Sequence, residues 1–301
     1  MEPTPRHDPV MIEEMIADLR LKAGDVVVDG TLGLAGHSLR FAELIAPGGT
    51  LVGVDWDQSM LEIARGRLSL TADIQLRLVH SDFRSIREIM ERLSLKANAI
   101  CLDLGLNSAQ IDDPTRGISF QKSGNLDMRM DRSTGEPASE MLNRLSANQL
   151  ERIFWEYGNE KWSRRIAQVI VERRQIEPLE TTQDLVDAIL AAVPKGARDP
   201  RIHPATRVFQ AVRIAVNREL EGLDRAIIEA ASSLADNGTL TILSYHSGED
   251  RIVKHTFQTL SDQGFVELHK KPVGPSMAEI ARNPRSRSAK MRSIRRAEMP
   301  S

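Results

Sequence analysis

The 301-residue chain holds one cysteine, Cys101. No internal disulfide can form, which excludes a disulfide-built secreted scaffold and fits a reducing compartment. No apolar run approaches the roughly 18 residues that a membrane span needs. The N-terminal stretch has acids and bases at intervals and no apolar core, so no secretory signal is expected and the expected compartment is the cytoplasm. Net charge is nearly absent, −2 from 40 Lys and Arg against 42 Asp and Glu. A whole-molecule field for a polyanion is thereby excluded, and any basic surface must be local. Two motifs are missing as well. Without His-Glu-x-x-His or a cysteine cluster, none of the seven histidines has ligand spacing, and no metal is expected. Without Gly-x-Gly-x-x-Gly, a nicotinamide oxidoreductase is disfavoured.

What is present centres on Asp25–Ser38. Three valines before Asp29 read as a strand buried on both faces. Glycines follow at 30, 33 and 36, and a helix starts near Ser38. In an open α/β sheet such a turn sits at the carboxyl ends of the strands, where ligands bind. A plain strand-to-helix turn without a ligand is the competing reading. A second strand, Thr50–Val54, ends at Asp55, 19 residues after Gly36. A carboxylate at that place suits two ribose hydroxyls; helix capping by Asp55 and Asp57 is the alternative. A third strand, Gln75–His80, runs into Ser81-Asp82-Phe83, a polar residue and an aromatic able to bracket an adenine; a capped turn with a core Phe is the alternative. A fourth, Ala99–Leu104, enters Asp103 to Ser108. Strand and helix alternate four times, which predicts a doubly wound parallel sheet with its strand ends on one rim.

The alternation then stops. Residues 109–135 read as an ordered loop, and Leu142–Leu150, Glu151–Tyr157, Trp162–Arg174 and Thr182–Val193 as helices. Trp162, Ile166, Val169 and Ile170 share a face. The sheet pattern resumes after a long amphipathic helix over 208–234, with Gly238 as its left-handed stop. A fifth strand, Thr239–Leu243, leads to Tyr245 and His246, and Gly264–Leu268 and Ala289–Arg295 are the last two strands. The expected organisation is 1–108 and 204–301 as one α/β domain, with 109–203 as an inserted helical domain. From His269 onward, nine Lys and Arg stand against two Glu, read as a phosphate-binding strip or a solvated tail. Arg201, His203, Arg207, Arg213 and Arg218 form a second basic group.

Nine motifs stand in order: Asp29-Gly-Thr-Leu-Gly-Leu-Ala-Gly-His37-Ser38, Asp103-Leu-Gly-Leu-Asn-Ser-Ala-Gln110, Arg116-Gly-Ile-Ser-Phe120, Leu126-Asp-Met-Arg-Met130, His203-Pro-Ala-Thr-Arg207, Phe209-Gln-Ala-Val-Arg-Ile214, Val216-Asn-Arg-Glu-Leu220, His246-Ser-Gly-Glu-Asp-Arg-Ile-Val-Lys254 and Asn283-Pro-Arg-Ser-Arg-Ser288. Together they resemble the bacterial small-subunit ribosomal RNA cytosine-N4 methyltransferases, the RsmH or MraW family, from His7 to the tail. The resemblance implies an α/β fold: a Rossmann-like S-adenosylmethionine-dependent methyltransferase sheet with an inserted helical domain for substrate recognition. It implies N4-methylation of one cytidine in small-subunit (16S) ribosomal RNA. It also implies an RNA or small-subunit partner and no membrane, and leaves a homodimer open. Carried over by motif, cofactor contacts fall on Ala35, Gly36, His37, Asp55, Phe83, Asp103 and Gln110. The chain departs from the family's glycine at Ala35, serine at Asn107, phenylalanine at Ile118 and leucine at Gly248.

The implied chemistry needs an amine held in line with the methyl group. Cytosine N4 is a poor nucleophile because its lone pair is delocalised into the ring. Acceptors that bind its hydrogens favour pyramidalisation and take up developing positive charge. Asp103, a backbone carbonyl near it, and the side chain of Asn107 are the candidates, and His246, at the end of the fifth strand, is a further catalytic candidate. Satisfaction of His246 by Glu249 or Asp250 at a helix start is its structural alternative. The target base must be unpaired or flipped. The departures keep a second reading open: a divergent member acting on another RNA, or a non-catalytic RNA-binding factor.

Overall fold

The structure, a computed structural model, describes residues 9–69, 73–106, 111 and 113–298. The chain divides into two compact units, 1–105 with 222–301, and 106–221. The sequence pattern placed these boundaries at 108/109 and 203/204.

Among its described residues the first unit carries seven strands, all near their expected positions: β1 (Val26–Asp29), β2 (Thr50–Asp55), β3 (Gln75–His80), β4 (Ala97–Asp103), β5 (Leu234–Ser244), β6 (Phe265–Glu267) and β7 (Lys290–Arg296). They form one sheet in the order β3-β2-β1-β4-β5-β7-β6. β1 to β5 pair in parallel, and β7 runs antiparallel to both β5 and β6. This is a mixed, Rossmann-like α/β sheet. Burial follows position. All six residues of β2 are buried, as an inner parallel strand requires, whereas the edge strand β3 exposes Gln75, Arg77 and His80 and buries none fully. The register sets Asp29 beside Gly53 and Cys101, so the carboxyl ends of β1, β2 and β4 share one rim.

The helices of this unit are α1 (Ile12–Leu19), α2 (Gly36–Ile45), α3 (Gln58–Leu68), α4 (Ile86–Leu93), α10 (Leu223–Ser232), α11 (Ser247–Ser261) and α12 (Met277–Arg282). Met15 of α1, Phe41 and Ile45 of α2 and Leu61 of α3 join Val27, Leu51 and Cys101 in one core cluster. Burying Phe41 or Ile45 contributes about 1.5–3 kcal/mol each. Asn237, with φ 62°, takes the left-handed position expected of Gly238, and it lies inside β5 rather than at a helix stop.

The second unit is helical: α5 (Ala138–Arg144), α6 (Ala147–Gly158), α7 (Ser163–Arg173), α8 (Thr182–Ala192) and α9 (Ala205–Asn217). Its core gathers Phe154, Ile166, Ile170, Leu185, Ile189, Val208, Phe209 and Val212. Two expectations change here. The helices expected at 142–150 and 151–157 are regrouped, because Ser146 is extended (ψ 160°) and builds a capping box with Gln149. The long helix expected over 208–234 is two helices. Arg218 ends α9 in a left-handed conformation (φ 49°), and Gly222 (φ 65°) begins α10. The apolar period continues across this break, so periodicity alone hid it. Among the described residues no helix is long and apolar enough to cross a membrane.

Candidate active site

β1 leaves the sheet at Asp29, and Gly30 N–H donates to the Cys101 carbonyl at 2.9 Å. A Cβ at Gly30 would lie 2.4 Å from Leu102 Cδ2 and 2.8 Å from Ile86 Cδ1. Only glycine lets the backbone pass there. The chain turns through Gly33 (φ 49°) to Ala35 (φ 60°, ψ 29°), the N-cap residue of α2. Alanine in the left-handed region costs about 1–2 kcal/mol, and here its methyl is fully buried. Ala35 provides no side-chain cap. The first-turn N–H groups of α2 and its positive dipole end therefore suit an anionic group.

Three carboxylates surround this turn. Asp55, at the end of β2, is 8% exposed. Its Oδ2 accepts from Gly33 N–H at 2.7 Å and its Oδ1 from Asp57 N–H at 2.9 Å. Burial outweighs these hydrogen bonds and lifts its pKa to about 6. Capping of α3 falls to Asp57, whose Oδ1 accepts from Ser59 N–H at 3.0 Å. The ambiguity between Asp55 and Asp57 is resolved in that division. Asp29 is 2% exposed, takes hydrogen bonds from Ser38 Oγ (2.7 Å) and Thr31 N–H (3.2 Å), and is pushed upward by burial against the opposing pull of His37. Asp103, at the end of β4, is tied to the turn by its own N–H, which donates to Thr31 Oγ1 at 2.7 Å. Its Oδ1 accepts from Gly105 N–H at 3.2 Å, and its Oδ2 lies 4.0 Å from His37 Nδ1.

His37 itself is buried and anchored, with Nε2 2.9 Å from the Val10 carbonyl. Phe83 is half-buried beyond β3, with the Arg84 guanidinium 4.9 Å over its ring. Asp82 is occupied by Arg84, through both the Arg84 N–H and Nη1. Ala35, Gly36, His37, Asp55, Phe83 and Asp103 thus all lie on elements that end at one rim of the sheet. Asn107 and Gln110 lie outside the described residues.

His246 departs from its expected catalytic part. It is the N-cap of α11, and its Nδ1 accepts from Gly248 N–H at 3.2 Å and Glu249 N–H at 3.4 Å. An accepting Nδ1 puts the proton of a neutral ring on Nε2. That atom sits 3.1 Å from Glu249 Oε1, at ion-pair distance without hydrogen-bond alignment. Glu249 Oε2 in turn accepts from Tyr245 N–H at 2.8 Å. The ring holds a helix start and is not a free base. The basic tail is corrected too. Lys290 and Arg292 lie in β7 and both pair with Asp250, at 2.9 and 2.7 Å. Arg295 donates to Thr239 Oγ1 and to the Asp18 carbonyl, and Arg296 to the Leu234 carbonyl. Of the second basic group, Arg213 is spent on a two-pronged pair with Glu219 (2.8 Å on each arm), and Arg218 forms the end of α9.

Sequence reasoning assigned no role to Asp29, Thr31 or Tyr245. The acid closing a run of three valines was the available signal for Asp29. Burial, and then the adjacent Asp103, hold the Tyr245 hydroxyl well above the usual tyrosine range, so it stays a donor.

The family model described as the MraW methylase family matches residues 4–297. The chain belongs to the MraW methylase family. It is therefore a methyltransferase, and the resemblance carried by the nine motifs is borne out. Relatives agree over nearly the full length. A protein of Geotalea uraniireducens named ribosomal RNA small subunit methyltransferase H is 44% identical, covering 95% of this chain and 97% of its own. Proteins of the same name from Pelobacter propionicus and Syntrophobacter fumaroxidans are 44% and 40% identical, covering 96% and 100% of this chain and 98% and 100% of their own. Within this methylase family the chain keeps a left-handed position at Ala35 although it lacks the glycine expected there.

Proposed function

We propose that this methylase transfers the methyl group of S-adenosylmethionine to the exocyclic N4 of one cytidine in the RNA of the small ribosomal subunit. The observation that carries the reading is Asp55: a nearly buried carboxylate, oriented by Gly33 and Asp57 N–H groups, at the end of β2 beside the glycine turn. Such an acceptor fits a ligand with two neighbouring hydroxyls. The uncapped start of α2 fits the carboxylate of an amino acid. The residues present therefore suit S-adenosylmethionine, which supplies an activated electrophilic methyl at its sulfonium.

In this reading, backbone groups of Ala35, Gly36 and His37 hold the amino-acid end. Asp55 binds the ribose, Phe83 lies against the adenine, and Gln110 adds a polar contact. Asp103 accepts a hydrogen of the cytosine amine. Its carboxylate is held in place by Gly105 N–H and by the backbone link to Thr31, so its charge needs no reorganisation when positive charge develops on N4. Asn107, four residues on, offers an amide oxygen and an amide N–H to the N4 and N3 edge of the base. Such a base must be unpaired or flipped to be reached. A ribosomal RNA substrate supports a cytoplasmic location.

The test is mass spectrometry of small-subunit RNA nucleosides from a deletion strain. Loss of N4-methylated cytidine at one site, restored by the wild-type gene and not by Asp55→Ala, is expected. Unchanged nucleosides would refute the assignment.

A further inference from the structure

The helical unit holds a cavity of about 540 Å³, bounded by 160–162 before α7, the segment 193–204 after α8, and the first turn of α9. Four cationic side chains line it: Lys161, Arg198, Arg201 and Arg207. Two carboxylates, Glu160 and Asp199, stand against them, and both are engaged. Glu160 is buried, and its Oε1 accepts from Trp162 N–H at 2.9 Å. Asp199 accepts from Arg201 N–H at 2.9 Å, and its Oδ1 also pairs with Arg201 Nε at 3.4 Å in an exposed, solvent-screened contact that a phosphate can replace. Arg198 is turned to the end of α8. Its Nη2 donates to Leu190 O (2.7 Å) and Val193 O (3.1 Å), which cancels the negative dipole end that would repel an anion. Lys161, Arg201 and Arg207 are exposed.

One wall is aromatic. The exposed His203 ring stacks on Phe120 with centroids 4.8 Å apart and planes at 29°. Phe120 meets Phe209 edge-on at 5.0 Å. His203 Nδ1 accepts from Ala205 N–H at 3.2 Å, which fixes the ring from a second side. One face of a rigid aromatic ring is thus backed by protein, beside three exposed cations.

We propose that this cavity binds one nucleotide of an unpaired RNA strand, at a site separate from the Asp55 rim. Arg201, Arg207 and Lys161 take the phosphates, and His203, backed by Phe120, takes a base by stacking. Phosphate contacts give salt-dependent affinity, and a stacked base adds affinity that is tolerant of sequence. A flat basic surface would account for neither the pocket nor the braced ring. The inference rests on the reading of the protein as an RNA methyltransferase and gives it a second contact point on the substrate.

The probe is purified small ribosomal subunits from a strain lacking this enzyme, with binding measured from 50 to 300 mM salt. In the Arg201→Ala/Arg207→Ala double variant the slope of log K against log salt should fall by roughly 1.4, since each phosphate on a single strand contributes about 0.7. KM for the subunits should rise at least tenfold, while kcat and the affinity for S-adenosylhomocysteine stay at wild-type values. His203→Asn keeps a capping side chain for Ala205 and removes the ring. It should weaken binding several-fold and leave the slope unchanged. Wild-type slope and KM in the double variant would overturn the proposal. So would competition by polyglutamate as strong as by polycytidylate, which would assign the cavity to an acidic protein. If the wild-type protein itself neither binds nor methylates the subunits, the functional reading fails instead, and the two failures are distinguishable.

Discussion

Asp55 makes the sharpest forecast because its burial and its proposed role depend on pH in opposite directions. Its folded pKa of about 6 stands above the ordinary aspartate value of 3.8. A raised carboxyl pKa means that the folded chain holds the proton more tightly than the unfolded one. Its contribution to stability is therefore full below pH 4 and is lost as the pH rises to 6. One unit is 1.36 kcal/mol, so the loss is about 3 kcal/mol in the ligand-free protein. Subtracting the unfolding free energy of Asp55→Asn from that of the wild type at each pH isolates this slope. The variant also leaves one backbone N–H facing an amide NH2, but that cost does not vary with pH.

Ligand binding should run the other way. Two ribose hydroxyls donate to a carboxylate and favour its ionised form. The affinity for S-adenosylmethionine should therefore rise about fivefold between pH 5 and 6 and level off above about pH 7. At pH 7.5, Asp55→Asn should weaken binding by about 1.5–3 kcal/mol, the scale of hydrogen bonds to a charged acceptor. It should also flatten the pH dependence. Calorimetric titrations from pH 5 to 8 on both proteins read both effects. A wild-type affinity indifferent to pH, or the same slope in the variant, would refute the role of Asp55.

Three other outcomes are expected. Ala35→Val forces a β-branched residue into a left-handed, fully buried position, and should lower stability by about 2–4 kcal/mol in urea unfolding. Arg292→Ala strips Asp250 of one of its two partners in a pair whose side chains are 8% and 14% exposed. It should cost about 3 kcal/mol and leave the salt slope of RNA binding untouched; a changed slope would return the tail to the phosphate-strip reading. Asn107→Ala should lower turnover about tenfold, since 1.4 kcal/mol is a factor of ten. It should spare S-adenosylmethionine affinity, and Asn107→Ser should keep most of the activity.

Local patterns carried much of the fold. Val26–Val28 followed by Asp29, and Thr50–Val54 followed by Asp55, mark buried strands by composition and their ends by a carboxylate, and both signals are local in sequence. The divided helix at Arg218 was not legible. Ile214, Leu223 and Ile227 keep the apolar period while Arg218 and Gly222 take left-handed backbone. A residue such as arginine gives no advance sign of φ 49°. The assignments at the site split the same way. Asp55 and Asp103 stand at strand ends, where position alone suggests a ligand. His246 stands at a strand end too, but its meaning lies in Glu249, the third residue of the following helix. The capping-box pattern is usually written with serine or threonine, and a histidine in that place carries no such signal.

The tail shows why charge count is a poor guide to charge use. Nine bases against two acids over the last 33 residues read as a strip for phosphate. β7, however, enters the sheet antiparallel between β5 and β6. Alternate side chains of such a strand point to opposite faces, and covering helices lie on both. Lys290 and Arg292 are two apart, so both face α11, and they meet Asp250 there. Asp250 is held below the usual carboxylate range by those partners, despite its partial burial. Once the strand is placed in the sheet interior, its buried cation Arg292 must find an acceptor, because an unpaired buried charge costs several kcal/mol. Only bases outside the strand, such as exposed Arg287, remain available for a polyanion. The exposed cations Lys161, Arg201 and Arg207 belong to a loop and to helix starts, where no ladder buries them, and the Arg201 pair with Asp199 lies at an exposed place where a phosphate of an RNA strand can exchange with the carboxylate.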